Sequence, residues 1–566
     1  MDYIDEDLTP AQIEKRQREQ ERQEAREKLA LEISEIIKNY GRPPTNAELA
    51  DEGLSQSKLR HHFGTVAKAV KAALDLVLND LYVLGEIDTL KAELMEADVK
   101  EHYEKGGAFF LAQMGAGCFA HSEILRTLEL FEKLGFFILL FPGADPARKN
   151  SGILGKDTLF FDSRLRKYAV VQRDFKIGPH VTIGSMLTST KQINPLTGLD
   201  NISSPYEVTI IGSPKQCITP MANLAKHPGE LCSTGTITCA DYSSSKYFSQ
   251  RTAKIAEKKH QLGGIALEFN KETGKPSTTN ILFKDNGDTY FKGKLLRAKT
   301  KRVSKAKVPA VTLPDVHLSS TWKHLVKLID EIRHLNPKVI FVHDDLDNES
   351  INPHKEKFAH IGTKLTPIFE NYYDEAQNYV RFCERMLNTF EGQIVSVFSN
   401  HPQFLERFIS AGDHVKVRDK KSYKLLHEIA KRMADAVDRF GRPNKSPTQI
   451  LVEILRPDLV ESGRFKWLLA HEGFNVCGIE CGQHGHVGKQ GSRSPSTQAL
   501  LKMLGPNITG HGHFREVKGL GYRVSSIYGG GHSRPAYALK GADIWSIDYA
   551  VIYDNLHVQL VSTEIS

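Results

Sequence analysis

Apolar runs and polar segments alternate along the second half of the chain in a strand–helix–strand pattern. Residues 308–313, 339–342 and 394–398 are short runs rich in Val, Ile, Leu and Phe, and each is typical of a buried strand. Residues 321–335, between the first two runs, place apolar side chains at helical spacing. Strands that alternate with helices favour an α/β domain, which we predict over residues 301–566.

The same pattern occurs once more, earlier in the chain. Residues 108–114 and 136–141 are apolar, and residues 122–134 between them have helical spacing, which predicts a βαβ unit. From about residue 150 to 290, short β-rich runs are separated by Ser, Thr, Gly and Pro. We therefore predict a mixed α/β domain over residues 101–300, to which the sequence assigns no chemistry.

Residues 1–100 are predicted to form an all-α region. The first forty residues have the pattern of one charged helix, and residues 46–51 and 55–63 form two short helices joined by a Gly-containing turn. That is the layout of a helix-turn-helix, and its second helix offers Lys58 and Arg60 to DNA. A helical adaptor or an oligomerisation bundle explains the pattern equally well, so DNA binding and homo-oligomer formation both stay open.

Composition narrows the class of protein. At 566 residues the chain is too long for one hydrophobic core, and 40% hydrophobic with 25% charged residues is ordinary for a globular protein. The longest apolar run falls far short of the roughly 20 residues that cross a bilayer, and the acidic start does not resemble a signal peptide. Seven cysteines fit reduced thiols better than a disulfide framework. We expect a cytoplasmic protein with no membrane partner.

Positive charge is modest overall and concentrated in places. The net charge of +7 permits a nucleic-acid partner without requiring one. Residues 292–307 contain eight lysines and arginines and no acid. Such a run is usually a solvated linker, but it ends a few residues before the first aspartate–histidine motif, where it could contact a DNA backbone.

Aspartates and histidines follow the predicted strands of the C-terminal half. In open α/β sheets the carboxyl ends of strands are where ligand sites form, and residues two apart on extended backbone point the same way. One histidine at a strand end is more often an ordinary hydrogen-bonded group, but an ordered set is a stronger signal. The set is Asp315, His317, Asp344, Asp347, Asn400, His401, His484, His511 and His513.

The order of these motifs, Asp-x-His, Asp-x-x-Asp, Asn-His, His and Gly-His-x-His, resembles that of the calcineurin-like metallophosphoesterases. This superfamily includes the SbcD-like nucleases, phosphodiesterases and Ser/Thr protein phosphatases. The resemblance covers roughly residue 308 to the C-terminus, under half of the chain. Two positions depart from the pattern: His343 stands where a glycine is usual, and Pro402 where an acidic residue is common. The resemblance implies an α/β/β/α sandwich for residues 301–566.

The resemblance also implies a site that holds two divalent metal ions, with Asp344 as the bridging ligand. The remaining ligands of one ion would be Asp315, His317 and His513, and those of the other Asn400, His484 and His511. His401 would act as the acid beside the leaving-group oxygen, oriented by Asp347. Carboxylate oxygen mixed with imidazole and amide ligands suits Mn²⁺ best, with Zn²⁺ or Fe²⁺ as alternatives.

Three features favour DNA as the substrate: the helix-turn-helix pattern, the basic stretch, and the lack of the Gly-Asp-x-x-Asp-Arg-Gly motif of protein phosphatases. Lys489 and Arg493, on a glycine-rich loop, are candidate phosphate contacts. The domain layout and the residues of the motifs also resemble those of the pre-early host-DNA-degradation proteins of T5-like phages. This resemblance implies a Mn²⁺-dependent DNase that acts in the host cytoplasm early in infection. A DNA-binding takeover or regulatory protein with a vestigial metal site, and a small-molecule phosphodiesterase, remain alternatives.

Overall fold

The computed structural model describes most of the chain, in ranges separated by short gaps. The described residues are 10–40, 44–79, 81–84, 89–116, 118–143, 159–188, 192–204, 206–222, 229–239, 242, 249–351, 371–439, 441–529 and 544–563. Their α-helices are α1 (Pro10–Tyr40), α2 (Asn46–Asp51), α3 (Gln56–Phe63), α4 (Val66–Asn79), α5 (Thr89–Glu104), α6 (Ser122–Lys133), α7 (Gln250–Lys259), α8 (Leu318–Ile332), α9 (Tyr372–Thr389), α10 (Pro402–Ser410), α11 (Lys420–Asp435), α12 (Pro447–Leu455), α13 (Pro457–Glu461) and α14 (Thr497–Leu504).

Strands occur on both sides of the middle of the chain. They are β1 (Leu81–Leu84), β2 (Ala108–Gly115), β3 (Phe136–Gly143), β4 (Leu159–Asp162), β5 (Ala169–Val170), β6 (Phe175–Ile177), β7 (Val181–Gly184), β8 (Val208–Ile211), β9 (Ser213–Met221), β10 (Gly229–Gly235), β11 (Gly263–Phe269), β12 (Pro276–Leu282), β13 (Thr289–Phe291), β14 (Lys294–Arg297), β15 (Arg302–Lys305), β16 (Ala310–Asp315), β17 (Val339–His343), β18 (Gln393–Ser396), β19 (Phe465–Trp467), β20 (Asn475–Val476), β21 (Ile479–Glu480), β22 (Asn507–Thr509), β23 (Glu516–Lys518), β24 (Gly521–Arg523), β25 (Asp548–Ile552) and β26 (Val558–Ser562).

Two large mixed sheets dominate the fold. The first has eleven strands in the order β19-β18-β17-β16-β25-β26-β12-β11-β2-β3-β5, and the second has ten in the order β20-β21-β22-β24-β23-β9-β10-β8-β7-β6. Strands from residues 101–300 and from residues 301–566 occur in both, joined where β12 pairs with β26 and β9 with β23. The predicted boundary at residue 300 therefore does not separate the strands into different sheets. The sequence could not show this, because pairing between distant strands leaves no local pattern.

Alternate residues of the central strands enter two different cores. Val311, Ile340 and Ile394 pack among residues of α8, α9 and α11, on one face of the eleven-stranded sheet. Ala310 and Phe341, each next in sequence to one of these, pack on the other face with Ile479 and Ile508 of the ten-stranded sheet. Because successive strand residues point to opposite faces, the two sheets lie face to face with helices outside the first. The predicted α/β class is confirmed.

The expected βαβ unit is present in residues 108–143. Strand β2 pairs in parallel with β3 along its whole length, from Ala108 opposite Phe136 to Gly115 opposite Gly143, and α6 connects them. The helix packs Ile124, Leu128 and Phe131 against apolar residues of both strands. This unit extends the eleven-stranded sheet at the end far from β16–β19.

The N-terminal helices form a small core of their own. Leu29 and Ile33 of α1 pack with Leu59 of α3. The side chain of Ser55 accepts a hydrogen bond from the backbone N–H of Lys58 at 3.2 Å and so caps α3. Lys58 and Arg60 are exposed on that helix, as a DNA contact requires.

The basic stretch 292–307 is not a linker, contrary to the expectation from its composition. It contains β14 and β15, which pair antiparallel with each other and, through β14, with β13. The backbone N–H of Gly293 donates to the Tyr553 hydroxyl at 2.9 Å, and Tyr553 follows β25 at the edge where β16 begins. The first motif stands at the other end of β16, roughly 17 Å away by strand geometry, so the expected DNA contact beside that motif is wrong in its position.

In the part of the chain that the structure describes, every helix is too short or too polar to cross a membrane.

Candidate metal centre

The candidate site lies where the parallel strands β16, β17 and β18 end. Asp315 is the last residue of β16, and Asp344 directly follows β17. The backbone N–H of Val397, just past β18, donates to Val342 at 2.9 Å and brings the segment that carries Asn400 and His401 to the same edge. Because the strands are parallel, their carboxyl ends meet and their terminal side chains converge.

Four of the predicted site residues have left-handed backbone. The φ angles are +48° at His317, +45° at Asp344, +67° at His511 and +58° at His513. Non-glycine residues in this region cost on the order of 1–3 kcal/mol each and cluster at functional sites. Here the N–H of His317 donates to the carbonyl of Asp344 at 2.8 Å, which ties the first two motifs together.

The structure brings the whole predicted first ligand set together with Asp344. His513 Nε2 lies 3.1 Å from His317 Nε2 and 3.4 Å from Asp315 Oδ2, and His317 Nε2 lies 3.9 Å from Asp344 Oδ2. One ligand atom from each of the four residues falls within 4.8 Å of the others, and three of the four side chains are fully buried. This is the spacing of side chains that can share one cation.

Gly510 allows the last motif to approach Asp315. A Cβ at this position would lie 2.1 Å from Asp315 Oδ1, which no side chain could tolerate. The next residue, His511, donates its backbone N–H to Asp315 Oδ2 at 2.7 Å. The glycine before the Gly-His-x-His histidines is therefore required by contact with the first motif.

The predicted second set is partly brought together. His484 Nε2 lies 3.3 Å from Asp344 Oδ2, and the His484 and His511 rings are 5.2 Å apart. His511 Nε2 lies 3.0 Å from Ser494 Oγ. The side-chain oxygen of Asn400 is buried and accepts no hydrogen bond from the described residues.

Buried polar atoms without partners mark the centre of the cluster. Within the described ranges, no hydrogen bond with acceptable geometry reaches either carboxylate oxygen of Asp344, Oδ1 of Asp315 or Nε2 of His484, although all are buried. A buried carboxylate without a partner is costly, whereas a bound cation would satisfy it. The donor set of carboxylate oxygens and imidazole nitrogens fits a divalent transition metal. These His/Asp clusters could bind metal, and the residues present fit that role.

The two central aspartates have opposite pKa shifts. Burial, reinforced by the neighbouring Asp344, raises the pKa of Asp315 well above its ordinary value. Burial also acts to raise the pKa of Asp344, but the positive charge available from His401 and His484 outweighs it and holds that pKa well below the usual range. Two carboxylates in one buried site cannot both ionise freely, so Asp344 takes the negative charge.

His401 and Asp347 form the second part of the site. His401 Nδ1 lies 3.3 Å from Asp347 Oδ1 and 3.2 Å from the Asp347 carbonyl, while its Nε2 faces Asp344 Oδ2 at 3.8 Å. Burial acts to lower the pKa of His401, but Asp344 and Asp347 outweigh it and raise that pKa to about 10. Asp347 also accepts from His317 Nδ1 at 2.7 Å. It therefore orients a predicted metal ligand as well as the predicted acid.

Three further residues join the site without having been predicted from the sequence. His343 Nδ1 lies 3.3 Å from His484 Nδ1, so this departure from the metallophosphoesterase pattern contacts a candidate ligand. The His486 ring lies 5.4 Å from that of His484, and Ser494 contacts His511. The sequence could have indicated His486, because it lies two residues from His484. No sequence pattern marks Ser494.

The candidate DNA contacts near the site lie on an exposed loop. Lys489 and Arg493 are both exposed, on the segment between His486 and α14. Val487 and Arg493 form an isolated antiparallel bridge, so the loop doubles back on itself. Arg493 is adjacent to Ser494, which contacts His511, and this places the loop beside the cluster. Their role as phosphate contacts stays a prediction, as does that of Lys58 and Arg60.

Comparison with known proteins gives one relationship of note. The chain is similar to Protein A1 of Escherichia phage T5, with 24% identity over 480 residues that cover 80% of this chain and 81% of that protein. No protein-family model and no solved structure matches it. The relationship links the chain to a phage protein, which agrees with the narrower of the two resemblances in its motifs.

Proposed function

We propose that this protein is a divalent-metal-dependent phosphodiesterase of the calcineurin-like class and that its substrate is DNA. The observation that carries the proposal is the convergence of Asp315, His317, Asp344 and His513 at one sheet edge. The Asp344 carboxylate at its centre is buried without a hydrogen-bond partner among the described residues. Two sheets packed face to face, with helices outside the eleven-stranded one, support the α/β/β/α sandwich that this class would have.

The residues divide into two ligand sets that share Asp344. Asp315, His317 and His513 would hold one ion, and His484, His511 and Asn400 the other, with Mn²⁺ as the best match to these donors. Two divalent ions would supply an activated water and stabilise the charge that develops on phosphoryl oxygens. Two hydrogen bonds hold these ligands in place. The His511 backbone N–H donates to Asp315, and His317 Nδ1 donates to Asp347.

His401 would donate the proton that the leaving oxygen of a DNA strand needs. Its Nδ1 faces Asp347 and its Nε2 faces Asp344, so one nitrogen is anchored while the other points into the cluster. An alkoxide is a poor leaving group, and an oriented imidazolium beside it contributes typically about 10²–10⁴-fold. Asp347 thus acts by positioning: it contacts His401 and His317.

DNA is favoured over a small phosphodiester for three reasons. Lys489 and Arg493 stand exposed on the loop beside His511. The N-terminal helices keep the predicted helix-turn-helix layout, with Lys58 and Arg60 exposed. The relationship to a phage protein fits an enzyme that degrades host DNA in the host cytoplasm early in infection. We propose this biological role on that basis.

The proposal is tested with purified protein, Mn²⁺ and two substrates: plasmid DNA and bis-p-nitrophenyl phosphate. We expect hydrolysis of both, loss of both with EDTA, and loss of both in Asp344→Asn. Hydrolysis of the small ester alone would indicate a small-molecule phosphodiesterase. DNA binding without hydrolysis of either substrate in any divalent metal would contradict the enzyme and favour a regulatory DNA-binding protein.

A further inference from the structure

The helix α11 (Lys420–Asp435) carries a strongly basic surface that none of the motifs explains. Residues 411–445 contain ten lysines and arginines against five acids, a surplus of five positive charges in a chain whose net charge is +7. Between Lys420 and Ala434 the helix has a single acid, Glu428, which Arg432 holds at 2.8 Å. The segment is therefore a second strongly basic stretch of the chain, beside residues 292–307.

The charges follow one face of the helix. Lys420, Lys424, His427 and Lys431 are separated by four, three and four residues, so they form a stripe along the helix. All four are exposed, while Leu425, Leu426 and Ile429 on the opposite face are buried in the core. Within the described residues, the three lysines form no ion pair. Their ammonium groups are free to meet an anionic partner.

Aromatic rings lie within the same stripe. The Tyr423 and His427 rings stack with centroids 5.8 Å apart and 11° between their planes, and the Tyr423 residue is 38% exposed. Flat exposed rings between lysines are what single nucleic-acid strands bind, because unpaired bases stack on the rings while phosphates contact the cations. An acidic protein surface would use the lysines and leave the ring pair without a partner.

The stripe follows the candidate site along the chain, separated from it by one short helix. Helix α10 begins directly after His401 and spans about 13 Å, and residues Asp413–Lys416 connect it to α11. On α10, Gln403 Nε2 lies 3.3 Å from His486 Nε2, and Arg407 donates to Gln403 at 3.1 Å. One positive group, Arg407, thus lies on the helix between the cluster and the stripe.

We infer that the exposed stripe of α11 binds the backbone of the DNA substrate to one side of the cleaved bond, with Tyr423 and His427 as a stacking face. This rests on the proposed function, since a small phosphodiester would not reach the stripe. The DNA is then held by the segment that follows His401, the proposed acid. The basic residues 292–307, at the opposite end of the central strands, do not contact it.

The test compares two variants of the full-length protein with equal loss of charge. Lys420, Lys424 and Lys431 are replaced by Gln in one; Lys294, Lys299 and Lys305, all exposed at the opposite edge, are replaced by Gln in the control. DNA affinity is measured by fluorescence anisotropy in EDTA across a salt series, and bis-p-nitrophenyl phosphate hydrolysis is measured with Mn²⁺.

We expect the stripe variant to bind DNA roughly 10-fold or more weakly at about 0.1 M salt, with a salt slope reduced by about 2, because fewer counterions are released. The control should bind as the wild type does, and all three proteins should hydrolyse the small ester equally. Tyr423→Leu should also weaken binding. Wild-type affinity and slope in the stripe variant, or an equal loss in both triple variants, would overturn the inference. If the wild type did not hydrolyse the ester, the proposed function would be contradicted, and the comparison of DNA binding would still stand.

Discussion

Two strand–helix–strand units in the eleven-stranded sheet place polar groups at the carboxyl ends of parallel strands. One is β16–α8–β17, with the candidate metal cluster; the other is β2–α6–β3. Five antiparallel pairings lie between β16 and β2, so the two carboxyl ends face opposite edges of the sheet. The same local architecture therefore occurs twice, and the two units can be compared directly.

The polar groups at the second unit are satisfied by hydrogen bonds with neighbouring segments. The N–H of Gly115 donates to Thr238 Oγ1 at 2.9 Å, and Asp162 accepts from the Ala120 N–H at 2.9 Å and from Arg164 at 2.7 Å. His260 contacts the Thr238 carbonyl and the Tyr242 hydroxyl. Among the described residues of 108–143, positive φ occurs at glycine alone.

The first unit does the opposite. Among the described residues, Asp344, Asp315 and His484 have buried atoms that make no hydrogen bond of good geometry, and the backbone around them is left-handed at non-glycine residues. Burial alone does not distinguish a binding site from a structural polar network, because both units are buried. Unsatisfied groups and local strain do distinguish them, since the fold gains nothing from either unless a ligand binds.

Asp344→Asn should have the largest effect and break the comparison most directly. We expect hydrolysis of DNA and of bis-p-nitrophenyl phosphate to fall to background, and the Mn²⁺-dependent rise in melting temperature to disappear. The metal-free variant should still fold cooperatively, because the lost attraction to His401 and His484 is opposed by relief of the cost of burying the Asp344 charge. A metal-free variant that is strongly destabilised would show that Asp344 is structural.

His401→Ala should have the next largest effect and separates proton transfer from metal binding. We expect about a 10²–10⁴-fold loss on DNA and a much smaller loss on bis-p-nitrophenyl phosphate, whose leaving group needs no proton. Metal content, measured by elemental analysis, should stay at the wild-type value. Equal losses on the two substrates with metal intact would refute the acid role.

His260 lies in the hydrogen-bonded network beside the second unit, and its pKa gives a pH test. Burial, reinforced by Lys215, lowers the pKa of His260 to about 4, from an ordinary value of 6.5. The unfolded chain takes up this proton between pH 6.5 and 4 while the folded protein does not, so stability is present above pH 6.5 and is lost as pH falls through that window.

In wild type this amounts to about 3 kcal/mol at most. In His260→Gln, whose amide can keep both hydrogen bonds, the unfolding free energy measured by urea denaturation should fall less between pH 7 and 4.5. Identical pH slopes for the two proteins would contradict a neutral, buried His260.

Asp162→Asn should have the smallest effect and is the matched control for Asp344→Asn. Asp162 is also a buried aspartate at a strand end, but its oxygens are hydrogen-bonded to Arg164 and Ala120. We expect a loss of about 2 kcal/mol in unfolding free energy, the same with and without Mn²⁺, and an unchanged Mn²⁺-dependent stabilisation. Weaker Mn²⁺ stabilisation in this variant would mean that the two edges are coupled.

The sequence by itself predicted much of the local structure and supplied the candidate residues of the site. Apolar runs located β16, β17 and β18, and the βαβ unit of residues 108–143, because buried strands and helices leave periodic patterns. Residue type and position at strand ends were enough to bring Asp315, His317, Asp344 and His513 to one list. Left-handed backbone at His317 and Asp344 was not foreseen, because it depends on hydrogen bonds between the two motifs.

Only the tertiary structure decided which segments lie together. Pairing of β12 with β26 and of β9 with β23 joins the two halves of the chain into common sheets, and each pairing spans hundreds of residues. No local pattern predicts the contact of Ser494 with His511, 17 residues away, or the contact of Gly293 with Tyr553 that places residues 292–307 far from Asp315. Periodicity reports which face of an element is buried, but the partner that buries it is chosen by packing of the whole chain.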